Sequence, residues 1–152
     1  MKNATFILLI IFISSCNKIK RCPECFTPPS SFAFRIINKL DSTDLISSGF
    51  YKKDSIHIYY QENSTTKKFQ LEFQFDSLSQ KTRIISNEIA WKSASGIKNY
   101  YIELTRNEID TLYLDVIQHN FNCCISFKYN EFRYNMINSE FNLQEQNYIV
   151  RK

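Results

Sequence analysis

The sequence predicts an all-β chain, an antiparallel β-sandwich of about seven to nine strands. Three observations predict it. Apolar and polar residues alternate with period two in run after run, and helix-period stretches are few. The apolar positions are rich in Phe, Tyr and Ile, which suit a pleated, half-buried surface. Short clusters of Asn, Asp and Ser separate the runs, and with only 2 glycines in the chain they must supply the turns.

The elements follow in order. Phe32, Phe34 and Ile36 alternate, as do Ile56, Ile58 and Tyr60. Phe69-Gln-Leu71-Glu-Phe73-Gln-Phe75 is the strictest alternation in the chain. Residues 83–91, with Ile84, Ile85, Ile89 and Trp91, read as one bent strand or two. Tyr100, Ile102 and Leu104 form another set, and Leu112, Leu114 and Val116 the next. Phe121, Cys123, Ile125 and Phe127 continue as one strand, followed by Phe132, Tyr134 and Met136, and Tyr148-Ile149-Val150 closes the chain. Turns are expected at Asp41–Asp44, Glu62–Thr65, Asp76–Ser79 and Asn138-Ser139. The interior would be one apolar layer between two sheets.

Three domain-level units are expected: residues 1–15 as a signal peptide, 16–31 as a tether and 32–152 as the sandwich. Lys2 supplies a positive start, Phe6 to Ile13 an unbroken apolar run, and Ser14-Ser15 a small-residue step before Cys16. The apolar run is far shorter than the roughly 20 residues that span a bilayer as a helix. Ile13-Ser14-Ser15-Cys16 resembles the bacterial lipobox. That resemblance implies a diacylglycerol on the Cys16 thiol, cleavage before Cys16 and stable anchoring by two or three acyl chains. Asn17 follows the cysteine, not the Asp tied to inner-membrane retention in enteric bacteria. The resemblance thus favours an outer-membrane location, and Lys18, Lys20 and Arg21 favour the periplasm-facing side.

Charge excludes one class of partner. There are 19 Lys and Arg against 15 Asp and Glu, and removing the signal takes away only Lys2. The remaining excess is weak and scattered, apart from Lys18, Lys20 and Arg21. That cluster suits anionic lipid headgroups. No basic stripe of the kind that binds nucleic acid is present.

Five cysteines are an odd number for an exported chain. Lipid on Cys16 leaves Cys22, Cys25, Cys123 and Cys124 for disulfides in an oxidising compartment. A vicinal Cys123–Cys124 bond would be strained, because adjacent Cα atoms lie about 3.8 Å apart. Links from the Cys22/Cys25 pair to the Cys123/Cys124 pair are favoured, each closing a loop of about 100 residues. Alternation puts Cys123 on the core face and Cys124 on the outer face, so one firm link is expected unless a bulge or strand start intervenes.

Two other uses of the thiols compete. Cys22-Pro-Glu-Cys25 resembles the Cys-Pro-x-Cys of glutaredoxin-like enzymes, which would make this a periplasmic thiol–disulfide protein. Pro28 and Pro29 forbid the helix that lowers such a thiol's pKa. A four-thiolate zinc site would need Cys123 and Cys124 to converge, yet strand neighbours point to opposite faces. No metal or other cofactor is expected.

No catalytic motif is present, and a non-enzymatic binding or accessory module is expected. His57 and His119 read as solvated surface residues. In the Tyr59-Tyr60 and Tyr100-Tyr101 doublets one ring points inward and one outward. The outer rings suit cross-strand pairing, or stacking on a sugar in a glycan-binding module.

The pattern Cys25-Phe-Thr-Pro-Pro, Phe32-x-Phe34-x-Ile36, Asp41-x-x-x-Leu45, Gly49-x-Tyr51, Ile56, Asp110-Thr-Leu112-x-Leu114 and Cys123-Cys124 spans most of residues 22–128. It is similar to small lipoproteins of Bacteroidota-type bacteria. Where these often carry Thr-Gly in the first turn, this chain has Thr43-Asp44. The resemblance implies one immunoglobulin-like or transthyretin-like sandwich in that compartment; the expected partners are the membrane, through the N-terminal lipid, and another outer-membrane protein or a glycan. It implies no catalytic residue. Asp41-Ser42-Thr43, Asp54-Ser55-Ile56, Asp76-Ser77-Leu78 and Asp110-Thr111-Leu112 resemble an O-glycosylation sequon of such bacteria, which would place sugars on Ser42, Ser55, Ser77 and Thr111.

Overall fold

Two facing β-sheets enclose an aromatic-rich core in the computed structural model, which describes residues 25–121 and 124–152. The strands are β1 (Cys25–Phe26), β2 (Phe32–Ile37), β3 (His57–Glu62), β4 (Thr65–Lys68), β5 (Glu72–Asp76) and β6 (Lys81–Ser86). They continue as β7 (Asn99–Thr105), β8 (Glu108–Phe121), β9 (Cys124–Tyr134), β10 (Ile137–Asn138), β11 (Glu140–Asn142) and β12 (Asn147–Arg151). One helix, α1 (Asn87–Ala94), lies between β6 and β7. The larger sheet has the order β1-β9-β8-β7-β3-β4, with β10 also on β9; the smaller has the order β11-β12-β2-β6-β5.

The all-β sandwich expectation is met. Strand order does not by itself assign an immunoglobulin-like topology. Twelve strand segments are described instead of seven to nine, because the short pieces β1, β10 and β11 pair at sheet edges. Two pairings are parallel, β1 with β9 and β12 with β2.

Alternation located the core well. Phe32, Phe34 and Ile36 of β2 are buried, as are Ile58 and Tyr60 of β3 and Tyr100, Ile102 and Leu104 of β7. Leu112, Leu114 and Val116 of β8 and Phe132 and Tyr134 of β9 complete the layer. Phe32 and Phe132 meet edge to face across the sandwich, 4.9 Å between centroids. Burying each such ring contributes about 2–3 kcal/mol.

Five local expectations are corrected. Residues 83–91 are not one or two strands. β6 ends at Ser86 and α1 follows, burying Ile89, Ala90 and Ser93 at helical spacing. Phe121 and Phe127 are not on one strand. Phe121 ends β8 and pairs with Cys124, the first residue of β9, so the chain has reversed between them. Met136 does not continue β9. Asn135 and Met136 have φ of 47° and 66°, the left-handed pair of a two-residue hairpin turn, and Met136 is exposed. That turn replaces the one expected at Asn138-Ser139. Phe69–Phe75 is not one strand either: Phe69 fills the core of the larger sheet, the chain crosses over, and only Glu72–Asp76 is strand. It lies at the edge of the smaller sheet, which leaves Phe75 exposed.

The fifth correction concerns the domain boundary. β1 pairs with β9, Thr27 N–H donates to Ile125 O at 2.9 Å, and the Tyr129 hydroxyl donates to Ser30 O. Residues 25–31 therefore belong to the folded domain, not to a tether. Composition could not show this, because two prolines and two serines look alike in a linker and in a docked segment.

The remaining turns are as expected. Asn63 and Ser64, with φ of 49° and 61°, close the β3–β4 hairpin without glycine. Asp44 is buried, and its carboxylate accepts N–H bonds from Ile46, Ser47 and Thr82 at 2.8–3.0 Å.

Candidate functional site

Three clusters of side chains stand out from the fold: a cross-linked aromatic tip, a polar clasp and a polar groove.

The tip is built where β8 and β9 outrun their neighbours. β7 pairs with β8 only as far as Asn99 opposite Tyr113. Beyond that point α1 supplies a partner. The buried Ser93 hydroxyl donates to Leu114 O at 2.8 Å and accepts from Val116 N–H at 2.9 Å, satisfying backbone groups that β7 does not reach. A register shift between Asp115 and Val116 bends the ladder here. The rest of the hairpin, Ile117–Phe121 with Cys124–Lys128, pairs within itself and with β1.

At that end Cys25 and Cys124 sit opposite each other in the parallel register, at disulfide distance with Cα atoms 4.6 Å apart. One link between the two cysteine pairs is therefore in place, and the strand start at Cys124 makes it possible. Cys16, Cys22 and Cys123 lie outside the described residues. On the other face of the same strands, Phe26 stacks on Trp91 of α1 at 5.9 Å, and both rings meet Phe127 edge-on at 6.0 and 5.3 Å.

The clasp lies at the opposite end of β8. The Lys152 ammonium contacts Asp110 and lies 2.7 Å from Glu108. Tyr134 donates its hydroxyl to Asp110, Asn135 Nδ2 donates to Asp110 Oδ1 at 2.7 Å, and Tyr51 donates to Glu108 at 3.1 Å. Burial works to raise the Asp110 pKa, but Lys152, Tyr134 and Asn135 outweigh it and hold the carboxyl below its ordinary value. Burial, reinforced by Asp110, pushes the Tyr134 phenol up; burial, reinforced by Glu108, does the same for Tyr51. The carboxylate thus stays ionised and the phenols stay protonated through neutral pH. This suits an intersheet tie more than proton transfer, which needs a pKa near the working pH.

The groove occupies the outer face of the smaller sheet, about 410 Å³ between β5, β6 and the β11–β12 turn. Asn142 Oδ1 accepts from the backbone N–H of Gln144 and Glu145 and so presents Glu145. Glu145 meets Arg35 at 2.9 Å and Lys81 at 2.8 Å, and Arg83 donates to its backbone carbonyl at 3.0 Å. Burial opposes ionisation of Glu145, but Lys81 and Arg35 prevail and lower its pKa. Asn147 is 1% exposed, and its Oδ1 has no hydrogen-bond partner among the described residues. Gln74, Asp76 and Ser79 complete the wall, while the Phe75 side chain lies on the opposite face of β5, level with its register partner Thr82.

The other sequence-derived positions are scattered. His57 pairs with Glu103 across strands, and His119, opposite Ser126, is exposed. Tyr59 stacks on Tyr101 at 5.4 Å while Tyr60 and Tyr100 are buried, the cross-strand arrangement expected of the doublets. Ser42 and Ser77 are exposed in turns. Ser55 is partly buried and donates to Lys52 O and Leu104 O, and Thr111 donates to Asn135. Among the described residues no three His, Cys, Asp or Glu side chains converge as metal ligands would.

Sequence reasoning missed the groove and the tip cluster. Arg35, Lys81, Arg83 and Glu145 lie on two strands and a turn, and no local spacing links them. Trp91 carried a signal, but the strand reading hid its helical position.

Comparison with protein-family models, with curated proteins and with solved structures found no match.

Proposed function

We propose that this chain is a lipoprotein of the bacterial outer membrane, held by lipid on Cys16, facing the periplasm and acting as a non-enzymatic binding or accessory module. The observation that carries this reading is how the chain enters the domain. β1 begins at Cys25, nine residues after the lipobox-like Cys16, and is cross-linked to β9 at its first residue. A domain tethered in this way presents its far surfaces to a partner. Among the described residues no helix is long and apolar enough to cross a membrane. The resemblance to small lipoproteins with immunoglobulin-like or transthyretin-like sandwiches supports the same reading. Membrane partitioning tests it: the native chain sediments with membranes and Cys16→Ala does not. Equal sedimentation of the two would overturn it.

A glycan-binding reading is favoured by the groove. Gln74, Lys81 and Arg83 on its face offer amide and cationic donors for sugar hydroxyls or carboxylates, and Asn147 adds the acceptor Oδ1, unpartnered among the described residues. A glycan array probed with the native chain and with Arg83→Ala tests it, and equal signals from the two would remove the groove from the account. The thiol–disulfide alternative requires Cys22 and Cys25 to pair with each other. The proximity of Cys25 to Cys124 supports a structural link instead, and a disulfide map of the resting protein decides between them.

A further inference from the structure

The tip has a composition that the core does not require. Phe121 is 73% exposed, Phe26 55% and Trp91 43%, and they come from three separate elements. Exposed large apolar residues scattered singly are ordinary, whereas a group gathered at one end of a domain marks an interaction surface. Phe121 lies on the Cys124 face of the hairpin; Phe26 lies on the opposite face with Ile125 and Phe127. Each face of the hairpin end thus carries an aromatic ring, among the exposed polar side chains of Gln118, His119 and Asn120.

Chain length identifies what meets it. Cys25 lies nine positions after Cys16, and an extended chain reaches at most about 3.3–3.6 Å per residue, so this end lies within about 30 Å of a lipid held on Cys16. No other part of the domain is so constrained, because the Cys25–Cys124 pair fastens the point of entry to the start of β9. Charge agrees. From Val116 to Asn130 the sequence holds no Asp or Glu, while Lys128 is exposed and Lys18, Lys20 and Arg21 lie in the connecting stretch. This acid-free hairpin end next to a basic segment is complementary to an anionic headgroup layer, the exposed Glu88 beside Trp91 being accompanied by Lys92, and Trp and Phe settle at the boundary between headgroups and acyl chains.

We propose that the β8–β9 tip is a membrane-docking surface: Phe26, Trp91 and Phe121 enter the interfacial layer of the bilayer and orient the domain. This rests on the lipid-anchored reading above. The lipid on Cys16 sets the distance, and the tip sets the orientation, with the groove and clasp held away from the membrane.

Trp91 is the single tryptophan and reports on the surface directly. The test places the full lipidated chain in phosphatidylethanolamine–phosphatidylglycerol vesicles and follows quenching by lipids brominated near the headgroup and by aqueous acrylamide. Docking predicts that brominated lipid at least halves Trp91 emission and that acrylamide quenching falls at least twofold relative to the protein in detergent. Phe121→Ser should cut the bromolipid effect by half or more while the protein still sediments with the vesicles. Trp91 untouched by bromolipid in vesicle-bound protein overturns the proposal and leaves the anchor standing. Shielding that tracks protein concentration and ignores bromolipid also overturns it and identifies a second copy of the chain as the occupant. Undiminished sedimentation of Cys16→Ala overturns the anchor itself.

Discussion

At its first residues β8 places Glu108 and Asp110 among Lys152, Tyr134 and Tyr51; at its last it leaves Phe121 in solvent beside the Cys25–Cys124 pair. The same strand is thus held by charge at one end and by a covalent link at the other. At the clasp end both sheets are present, and Lys152 ties the smaller sheet to β8 and β9 of the larger one. At the tip end the larger sheet runs on past β7, and few core contacts are left to hold it. A disulfide does there what packing cannot, because its effect on the unfolded chain needs no apolar neighbours. The contrast teaches that the tip is expendable to the core and free to serve a surface.

The largest expected effect tests the covalent end. Cys25 and Cys124 are 99 residues apart, and in the chain-entropy model a loop of that size contributes up to about 4.7 kcal/mol. The double variant Cys25→Ser, Cys124→Ser should lose about 4 kcal/mol in urea unfolding. A loss below about 1 kcal/mol would mean that β1 detaches freely once the link is cut, and that the tip is held by something else.

The charged end should come next. Asp110→Ala removes the acceptor of the buried Tyr134 hydroxyl and one of the two carboxylates that Lys152 meets, and an orphaned buried donor costs about 1–3 kcal/mol, so a loss of about 3 kcal/mol is expected. Asp110→Asn should recover part of it. The pH profile separates the two ends further, since a disulfide does not titrate. The Asp110 carboxyl is depressed in the folded state, so its contribution is present above the ordinary carboxylate value of about 4 and is lost as pH falls below it. The phenols of Tyr51 and Tyr134 are raised, so their contribution is held below about pH 10 and lost as pH climbs beyond it. Unfolding free energy should form a plateau between these limits. In Asp110→Asn the acid limb should flatten, and an unaltered acid limb would show that other carboxylates control it.

A smaller gain is expected at the hairpin turn beside the clasp. Met136 holds φ of 66° where Asn-Gly is the favoured two-residue turn. Met136→Gly should stabilise the protein by about 1 kcal/mol, through relief of left-handed strain in a side chain that is already exposed. No change in thermal midpoint would mean that the turn is not strained.

This residue also marks a limit of sequence reading. Alternation placed Met136 on β9 because Phe132, Tyr134 and Met136 keep the period, yet period reports which face a residue shares and not where the strand stops. The same limit split Phe121 from Phe127 and put a crossover inside Phe69–Phe75. Where alternation coincided with a covered strand, as at Phe32, Phe34 and Ile36, the core was legible. The helix was hidden because Ile84, Ile85, Ile89 and Trp91 satisfy both periods over so short a span. Of the candidate sites, the cysteine link was legible from parity and from the strain of a vicinal bond, although not which partners form it. The groove was not legible at all: Arg35, Lys81, Arg83 and Glu145 meet through long-range pairing of β2, β6 and β12.

The smallest expected effect is the sharpest probe of the comparison. If the tip is expendable to the core, Phe121→Ser should change unfolding free energy by less than about 0.5 kcal/mol, because the ring is 73% exposed and its removal opens no cavity. The contrast with Phe132→Ala, at the same sheet but 2% exposed, should be at least about 3 kcal/mol. Chemical denaturation of both variants in the absence of membranes reads the difference. A Phe121→Ser loss approaching that of Phe132→Ala would make the tip part of the folding core. Its exposed rings would then be structural, and the reason to seek a membrane beneath them would weaken.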